Sequence, residues 1–383
     1  MIASDTRNRQ RILVVCGTRP ESIKMMPVVR ELRRNPDFQT IVVSTGQHRM
    51  MLDQVFSLFD EKPEIDLDIM TPGQSLADIT ARVMQDMSKI YASHQIERVL
   101  VHGDTTTAMA AAVAAFYARI RIGHVEAGLR SHDLTRPWPE EFNRVAIDSI
   151  ADMLFAPTEI SAANLRAEYN RQARIFVTGN TGIDALLHVS QVLEQKSSVN
   201  VDCARKYDFL DSSKRLILVT GHRRESFGGG FERICDGLLA LTERDDVEIL
   251  YPVHLNPNVK LVVEKRLSGR KSIHLIDPVD YVDMVYLMKR AAILLTDSGG
   301  IQEEGPALGK PVLVMREVTE RPEAVALGAV ELVGTDPVRI RRSADVLLDD
   351  ENEYRRRARP VFPYGDGSAA KQIVDALVDT GAA

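Results

Sequence analysis

One short apolar run constrains this chain more than any other feature: Ile12-Leu13-Val14-Val15-Cys16, stopped by Gly17. A β-branched run with no polar alternation reads as a strand buried on both faces, which is the situation of a parallel sheet covered by helices on each side. The unit recurs. Strands are expected at Ile41–Ser44, Val99–His102, Ile122–Val125, Met153–Ala156 and Ile175–Val177, alternating with helical patterns near 51–59, 75–93, 107–117, 140–150 and 159–169. Such alternation implies parallel strands joined by crossover helices. Gln195–Ser213 is polar without a clear period and reads as a linker. A second series then starts, with strands expected at Arg215–Val219, Val247–Tyr251, Ile273–Ile276, Ile293–Thr296 and Val312–Val314. A final helix, about Ala369–Val378, follows the break at Tyr364–Gly367 and is long enough to return to the first half. The 383 residues fit two domains at roughly 100–200 residues each.

Composition removes several function classes. Acidic residues number 54 against 48 basic ones, with no long basic run and few aromatics to stack bases, so nucleic acid is not an expected partner. No stretch approaches the ~18–20 apolar residues of a membrane span, and Met1–Arg11 is polar, so membrane insertion is not expected and a cytoplasmic location is. The three cysteines, Cys16, Cys203 and Cys235, lack zinc spacing and read as reduced thiols packed as small hydrophobes. No G-x-G-x-x-G follows a strand. Gly305–Pro311 is one residue short of a P-loop, and the only D-x-D, Asp66-Leu67-Asp68, has no other ligands nearby. No metal and no redox cofactor are expected.

Ligands of open parallel sheets bind outside the carboxyl ends of the strands, and there this sequence is rich in chemistry. After the first strand, Arg19 and Lys24 flank a helix start and suit an anion, unless they are solvated surface cations. Asp104 follows Val99–His102 and is either an acid of the rim or the N-cap of the next helix. Glu126 follows the next strand, and Glu140 stands beside the lone Trp138. Three acids converging on one cleft would raise one another's pKa and divide acid and base roles; the alternative is surface salt-bridging. In the second half, His222-Arg223-Arg224 suits phosphate. Thr296-Asp297-Ser298-Gly299-Gly300, with Glu304 one turn into a helix, has the layout of a nucleotide diphosphate site: backbone N–H groups for phosphate, a carboxylate for ribose hydroxyls.

These motifs, with Gln47-His48-Arg49, Pro137-Trp138-Pro139-Glu140-Glu141, Pro252-Val253-His254 and Thr319-Glu320-Arg321-Pro322-Glu323, occur in an order that resembles the bacterial non-hydrolysing UDP-N-acetylglucosamine 2-epimerases over nearly the whole chain. The resemblance implies an α/β, GT-B-like fold: two Rossmann-like domains with parallel sheets and an interdomain cleft. The first would be residues 1–182, with the terminal helix 366–383 packing back on it, and the second, UDP-binding domain 183–365. It also implies reversible C2 epimerisation of UDP-N-acetylglucosamine to UDP-N-acetylmannosamine for surface polysaccharides. In that chemistry UDP is eliminated to give 2-acetamidoglucal and then re-added. Carried over by motif position, Asp104, Glu126 and Glu140 are the acid/base carboxylates. His222, Arg19 and Lys24 stabilise the leaving diphosphate, and Ser298, Gly299 and Gly300 bind phosphate. Glu304 holds the ribose, Arg321 the nucleotide side, and Val279 and Met284 stand near the uracil. Gln47, Gln74, Arg223 and His254 would line a second, activating site, although Gly73 replaces an arginine seen in some activator-dependent members. The resemblance further implies a homodimer and no cofactor. A hydrolysing relative, a GT-B glycosyltransferase and a catalytically inert nucleotide-sugar sensor are the competing readings.

Overall fold

The run Ile12–Cys16 forms most of strand β1 (Gln10–Cys16) in the computed structural model, which describes residues 9–46, 49–69, 71, 73–168 and 173–381. Its residues alternate between the two faces of a sheet. Leu13 and Val15 pack with Val83, Met87 and Ile122, while Ile12, Val14 and Cys16 are equally buried on the opposite face. The first sheet continues with β2 (Phe38–Ser44), β3 (Ile65–Asp66), β4 (Arg98–His102), β5 (Arg121–Val125), β6 (Met153–Ala156) and β7 (Arg174–Val177). Its spatial order is β3-β2-β1-β4-β5-β6-β7, parallel throughout. The order reverses between β1 and β4, which is where a doubly wound sheet binds ligands.

The second sheet holds β8 (Arg215–Thr220), β9 (Val247–Pro252), β10 (Ile273–Ile276), β11 (Ile293–Thr296), β12 (Val312–Val314) and β13 (Val330–Leu332). Its order is β10-β9-β8-β11-β12-β13, again parallel, with the reversal between β8 and β11. The chain is thus an α/β protein of two Rossmann-like, parallel-sheet units in the GT-B-like class. The units divide after Ala185 and again after Pro363, so residues from Tyr364 onward belong to the first. There the helix Ala369–Gly381 packs on the helix Arg19–Arg34, and Ala370 N–H donates to Asp184 Oδ1 at 2.8 Å.

Two parts of the sequence reading need correction. Gln195–Ser213 is not a linker: the helix Thr181–Gln195 runs across the division, and Ser197–Lys206 is a helix of the second unit. Val199, Cys203 and Tyr207 recur every fourth residue, and the last two are buried, a one-residue stripe too narrow to register in a polar segment. The short edge strands β3 and β13 also escaped notice, because two or three residues carry no periodicity. The three cysteines are free and buried. Among the described residues, no helix is long and apolar enough to cross a membrane.

Candidate functional site

In the first unit the chemistry gathers at the carboxyl ends of β1, β4 and β5. Gly103, at φ 65°, turns the chain out of β4 in a conformation that favours glycine and delivers Asp104. Thr105, not Asp104, caps the following helix Thr106–Tyr117, its Oγ1 accepting from Ala108 N–H at 3.1 Å. The cap reading of Asp104 is therefore wrong, and its carboxylate instead pairs with Arg144. Asn143 Nδ2 donates to the Asp104 carbonyl at 2.8 Å. Both partners lie on the helix Glu140–Ile150, three and four residues beyond Glu140, so Glu140 shares their face near Asp104. The helix Thr106–Tyr117 brings them close: its buried alanines, 108, 110, 111, 112, 114 and 115, let the helix Glu140–Ile150 pack tightly. Beneath the turn, His124 bonds the Gly103 carbonyl at 2.7 Å through Nε2 and Asp148 Oδ1 at 2.5 Å through Nδ1.

Glu126 leaves β5 at φ 66°, a left-handed conformation that costs a non-glycine residue roughly 1–2 kcal/mol. Its Oε2 pairs with Lys24 and accepts from Asn180 Nδ2 at 2.6 Å. Lys24 is therefore turned onto an acid rather than standing beside Arg19 as an open anion clamp, because Glu126 is a nearly buried carboxylate within its reach. His102 Nε2 lies 3.6 Å from the same Oε2, beyond hydrogen-bond range, and neither ring nitrogen has a hydrogen-bond partner. Burial lowers the His102 pKa to about 4, against the pull of Glu126, so the ring is neutral at pH 7.

Burial pushes the Glu21 carboxyl up to about 7, and the sequence reading gives this residue no role. It lies under the turn after β1, accepting from Thr105 Oγ1 at 2.6 Å and from Thr18 N–H, and the charge of Asp104 adds to the rise. Sequence alone shows it only as a glutamate in the first turn of a helix.

In the second unit the site forms at the ends of β8 and β11. Asp297 is fully buried, and its Oδ2 accepts the backbone N–H groups of His222 and Arg223, each at 2.8 Å. One acid thus ties the two strand ends together across the reversal. The His222 ring stacks on His254 with centroids 5.3 Å apart, and burial lowers its pKa against the pull of Asp297. Ser298 begins the helix Gly299–Ala307 without a side-chain capping bond, while its N–H donates to Thr296 Oγ1 at 2.9 Å. Arg321 lies directly behind Gly299, where a Cβ would meet its Nη1 at 2.6 Å. It bonds Glu303 Oε1 at 2.5 Å and pairs with Glu320. Burial would raise Glu320, but Arg321 and Arg316 hold it down at about 2. Arg321 is therefore a buried brace of the turn at Gly299, not an open cation. Glu304 accepts from Tyr281 OH at 2.9 Å, and Met284 follows Tyr281 on the same helix face.

The residues expected to line a second site fall in both units. Arg223 and His254 adjoin His222, while Gln74 braces its own loop in the first unit through Thr71 N–H and the Ile69 carbonyl. Gln47 lies outside the described residues. Among the described residues, no cluster of three His, Cys, Asp or Glu side chains could hold a metal.

Residues 30–378 match the family profile described as UDP-N-acetylglucosamine 2-epimerase. The chain is 53% identical over 368 residues to the UDP-N-acetylglucosamine 2-epimerase of Escherichia coli K12, covering 96% of this chain and 98% of that one. Its structure resembles the UDP-GlcNAc 2-epimerase of Neisseria meningitidis bound to UDP-GlcNAc, with TM-score 0.93 and 44% identity, covering 97% and 100% of the two chains. It also resembles the Methanocaldococcus jannaschii UDP-GlcNAc 2-epimerase in complex with UDP-GlcNAc and UDP, with TM-score 0.83 and 32% identity, covering 97% and 100%.

Proposed function

The chain belongs to the UDP-N-acetylglucosamine 2-epimerase family, and on that premise we propose that it interconverts UDP-N-acetylglucosamine and UDP-N-acetylmannosamine without releasing free sugar. The C2 proton is not adjacent to a carbonyl, so simple deprotonation and return is not open to this substrate. A carboxylate removes the C2 proton while the C1–O bond to UDP breaks, giving 2-acetamidoglucal and UDP. A phosphate oxygen of UDP then re-forms the bond at C1 as a proton arrives at C2 on the opposite face.

The observation that carries this reading is the set of acids on the first sheet, Asp104 and Glu126 at adjacent strand ends with Glu140 on the helix that holds Asp104. A glycosyltransferase acting by simple substitution would not need three. In the second unit, the N–H groups at Gly299 and Gly300, Ser298 and the neutral-leaning His222 suit the departing diphosphate, while Glu304 and Met284 suit the ribose and base. The product would serve surface polysaccharide synthesis.

The test is incubation with UDP-N-acetylglucosamine in deuterated water, followed by proton NMR. UDP-N-acetylmannosamine carrying deuterium at C2 is expected, and Asp104→Asn or Glu140→Gln should slow its appearance ~100-fold, the usual scale for lost acid/base catalysis. Free N-acetylmannosamine with UDP would identify a hydrolysing enzyme, and an unchanged sugar would refute the reading.

A further inference from the structure

Asn180 follows β7 in the Thr178-Gly179-Asn180 turn and is 1% exposed. Its side-chain amide is committed at both ends. Oδ1 accepts the N–H of Gly182 at 2.8 Å, capping the helix Thr181–Gln195, and this fixes which end of the amide is oxygen. Nδ2 is thereby turned to Glu126 Oε2 at 2.6 Å, and the reverse orientation would set two oxygens against each other. The main chain is pinned as well. Asn180 N–H donates to the Tyr364 carbonyl at 2.6 Å, its carbonyl accepts from Ile183 at 3.0 Å, and Gly179 packs so closely on Gly365 that a Cβ on Gly179 would lie 2.9 Å from the Gly365 Cα.

Glu126 needs such a support. It sits in a left-handed backbone conformation, and its other charged partner, Lys24, reaches it on a long flexible stem. A lysine ammonium neutralises a carboxylate but fixes its orientation poorly. A buried amide with one free direction fixes it well. Both donors address Oε2, and Oε1 is the oxygen on the side of Gly103, 3.9 Å from where a Cβ of that residue would stand. Oε1 is thus the oxygen nearer the Asp104 turn, while Asn180 holds Oε2.

We propose that Asn180 is the positioning residue for Glu126: its amide, locked by the cap of the helix it begins, aims the carboxylate so that Oε1 faces the Asp104 turn. The proposal rests on the catalytic reading of Glu126 given above.

Two variants separate positioning from folding. Aspartate and serine cap helices about as well as asparagine. Asn180→Asp thus keeps the bond to Gly182 but has no donor for Glu126, and Asn180→Ser keeps a cap but is too short to reach it. In the full chain with UDP-N-acetylglucosamine, both should lower kcat about 10- to 100-fold, with KM changed less than about threefold, the effect of one charge-assisted hydrogen bond lost at a reacting group. The melting temperature of Asn180→Ser should stay within about 3 °C of the wild type, while the like charge buried in Asn180→Asp lowers it further. The pH profile supplies a readout that a structural role would not move. Among the described residues, titratable groups facing Glu126 include Lys24 from the helix Arg19–Arg34, His102 from the end of β4 and Asp104 from the turn that follows it. A new carboxylate at position 180 adds a like charge, so the acidic limb of kcat should shift to higher pH in Asn180→Asp, and less in Asn180→Ser.

Wild-type kcat in either variant would overturn the proposal. So would loss of folding in both, which would assign the amide to the fold alone. Glu126→Gln is measured in parallel. If it retains wild-type turnover, the catalytic reading of Glu126 fails; if it is inactive while the Asn180 variants turn over normally, only the positioning role fails.

Discussion

The glycine pair at the start of the helix Gly299–Ala307 allows the phosphate-loop reading to be tested by adding one methyl group at a time. At Gly299 a Cβ would lie 2.6, 2.7 and 3.0 Å from Nη1, Cζ and Nη2 of Arg321, whereas ordinary contact begins at 3.4 Å. The guanidinium is not a loose end that can swing away. Its side chain is 9% exposed, bonded to Glu303, 3% exposed, and paired with Glu320, 19% exposed. Gly299→Ala must therefore strain the backbone or loosen Arg321 from its acids. Overpacking costs about 1–3 kcal/mol, and a hydrogen bond to a charged group about 1.5–3 kcal/mol, so a loss of about 2–4 kcal/mol is expected. For a unit of this size that is a fall in melting temperature of roughly 5–15 °C. At Gly300 the nearest atom is Ser298 Oγ at 3.9 Å, so a methyl group fits. Gly300→Ala should match the wild type or gain up to about 1 kcal/mol from helix propensity. Differential scanning calorimetry of the two variants beside the wild type gives the stabilities, and titration calorimetry gives UDP affinity. Gly300→Ala should bind UDP at least tenfold more weakly despite its stability, since the methyl group stands where the diphosphate would approach the backbone. A Gly299→Ala protein that melts with the wild type would refute the brace assigned to Arg321. Unchanged UDP affinity in Gly300→Ala would refute the phosphate site.

Two further outcomes follow from the site. Glu304→Ala should weaken UDP binding about tenfold by titration calorimetry, with Tyr281→Phe, which removes the hydrogen bond orienting Glu304, showing a smaller effect of the same sign; wild-type affinity in Glu304→Ala would remove the ribose contact. Glu21 keeps in the fold, up to about pH 7, a proton that the unfolded chain releases near 4.5, so the stability it contributes is full below 4.5 and is lost as pH rises through 7. Urea unfolding from pH 4.5 to 7.5 should accordingly show a shallower decline for Glu21→Gln than for the wild type, by an amount on the order of 3 kcal/mol across the window, and equal slopes would show that Glu21 is ionised in the fold.

The rim chemistry was legible in the sequence wherever a residue directly follows a strand, because strand ends are read from apolar runs and the binding edge of a parallel sheet follows from topology. Asp104, Glu126, His222 and Ser298 were found that way. The partners that define those residues were not. Lys24 and Glu126 are 102 positions apart, Asn180 and Glu126 54, and Arg144 and Asp104 40. Nothing local marks such pairs; they exist because the alanine-rich helix Thr106–Tyr117 and the β1–β4 reversal bring distant elements together. Glu21 was missed for a related reason. A glutamate in the first helical turn normally serves the helix dipole in water, and only the packed turns of β1 and β4 bury it. The motif Thr319–Glu323 suggests a ligand contact for Arg321, and only the fold shows its two carboxylate partners, Glu303 and Glu320.

The two sheets share a strand order but place different chemistry at the reversal. In the first unit, side-chain acids stand at the rim, and cations or amides from neighbouring helices balance them. In the second, acids would repel a diphosphate, and those near the rim are already committed. Asp297 accepts two backbone N–H groups, Glu303 bonds Arg321, and Glu320, ionised down to about pH 2, pairs with both Arg321 and Arg316. The same pairing draws Arg321 toward its carboxylates, so most of its charge is balanced within the protein. On the proposed function, attraction for a diphosphate would draw on oriented backbone N–H groups at Gly299 and Gly300 and on His222, groups whose strength depends on geometry more than on net charge. On the proposed function, such a site would bind a diphosphate without holding it as tightly as a cluster of open arginines, which would suit a reaction in which the same diphosphate leaves carbon and returns to it.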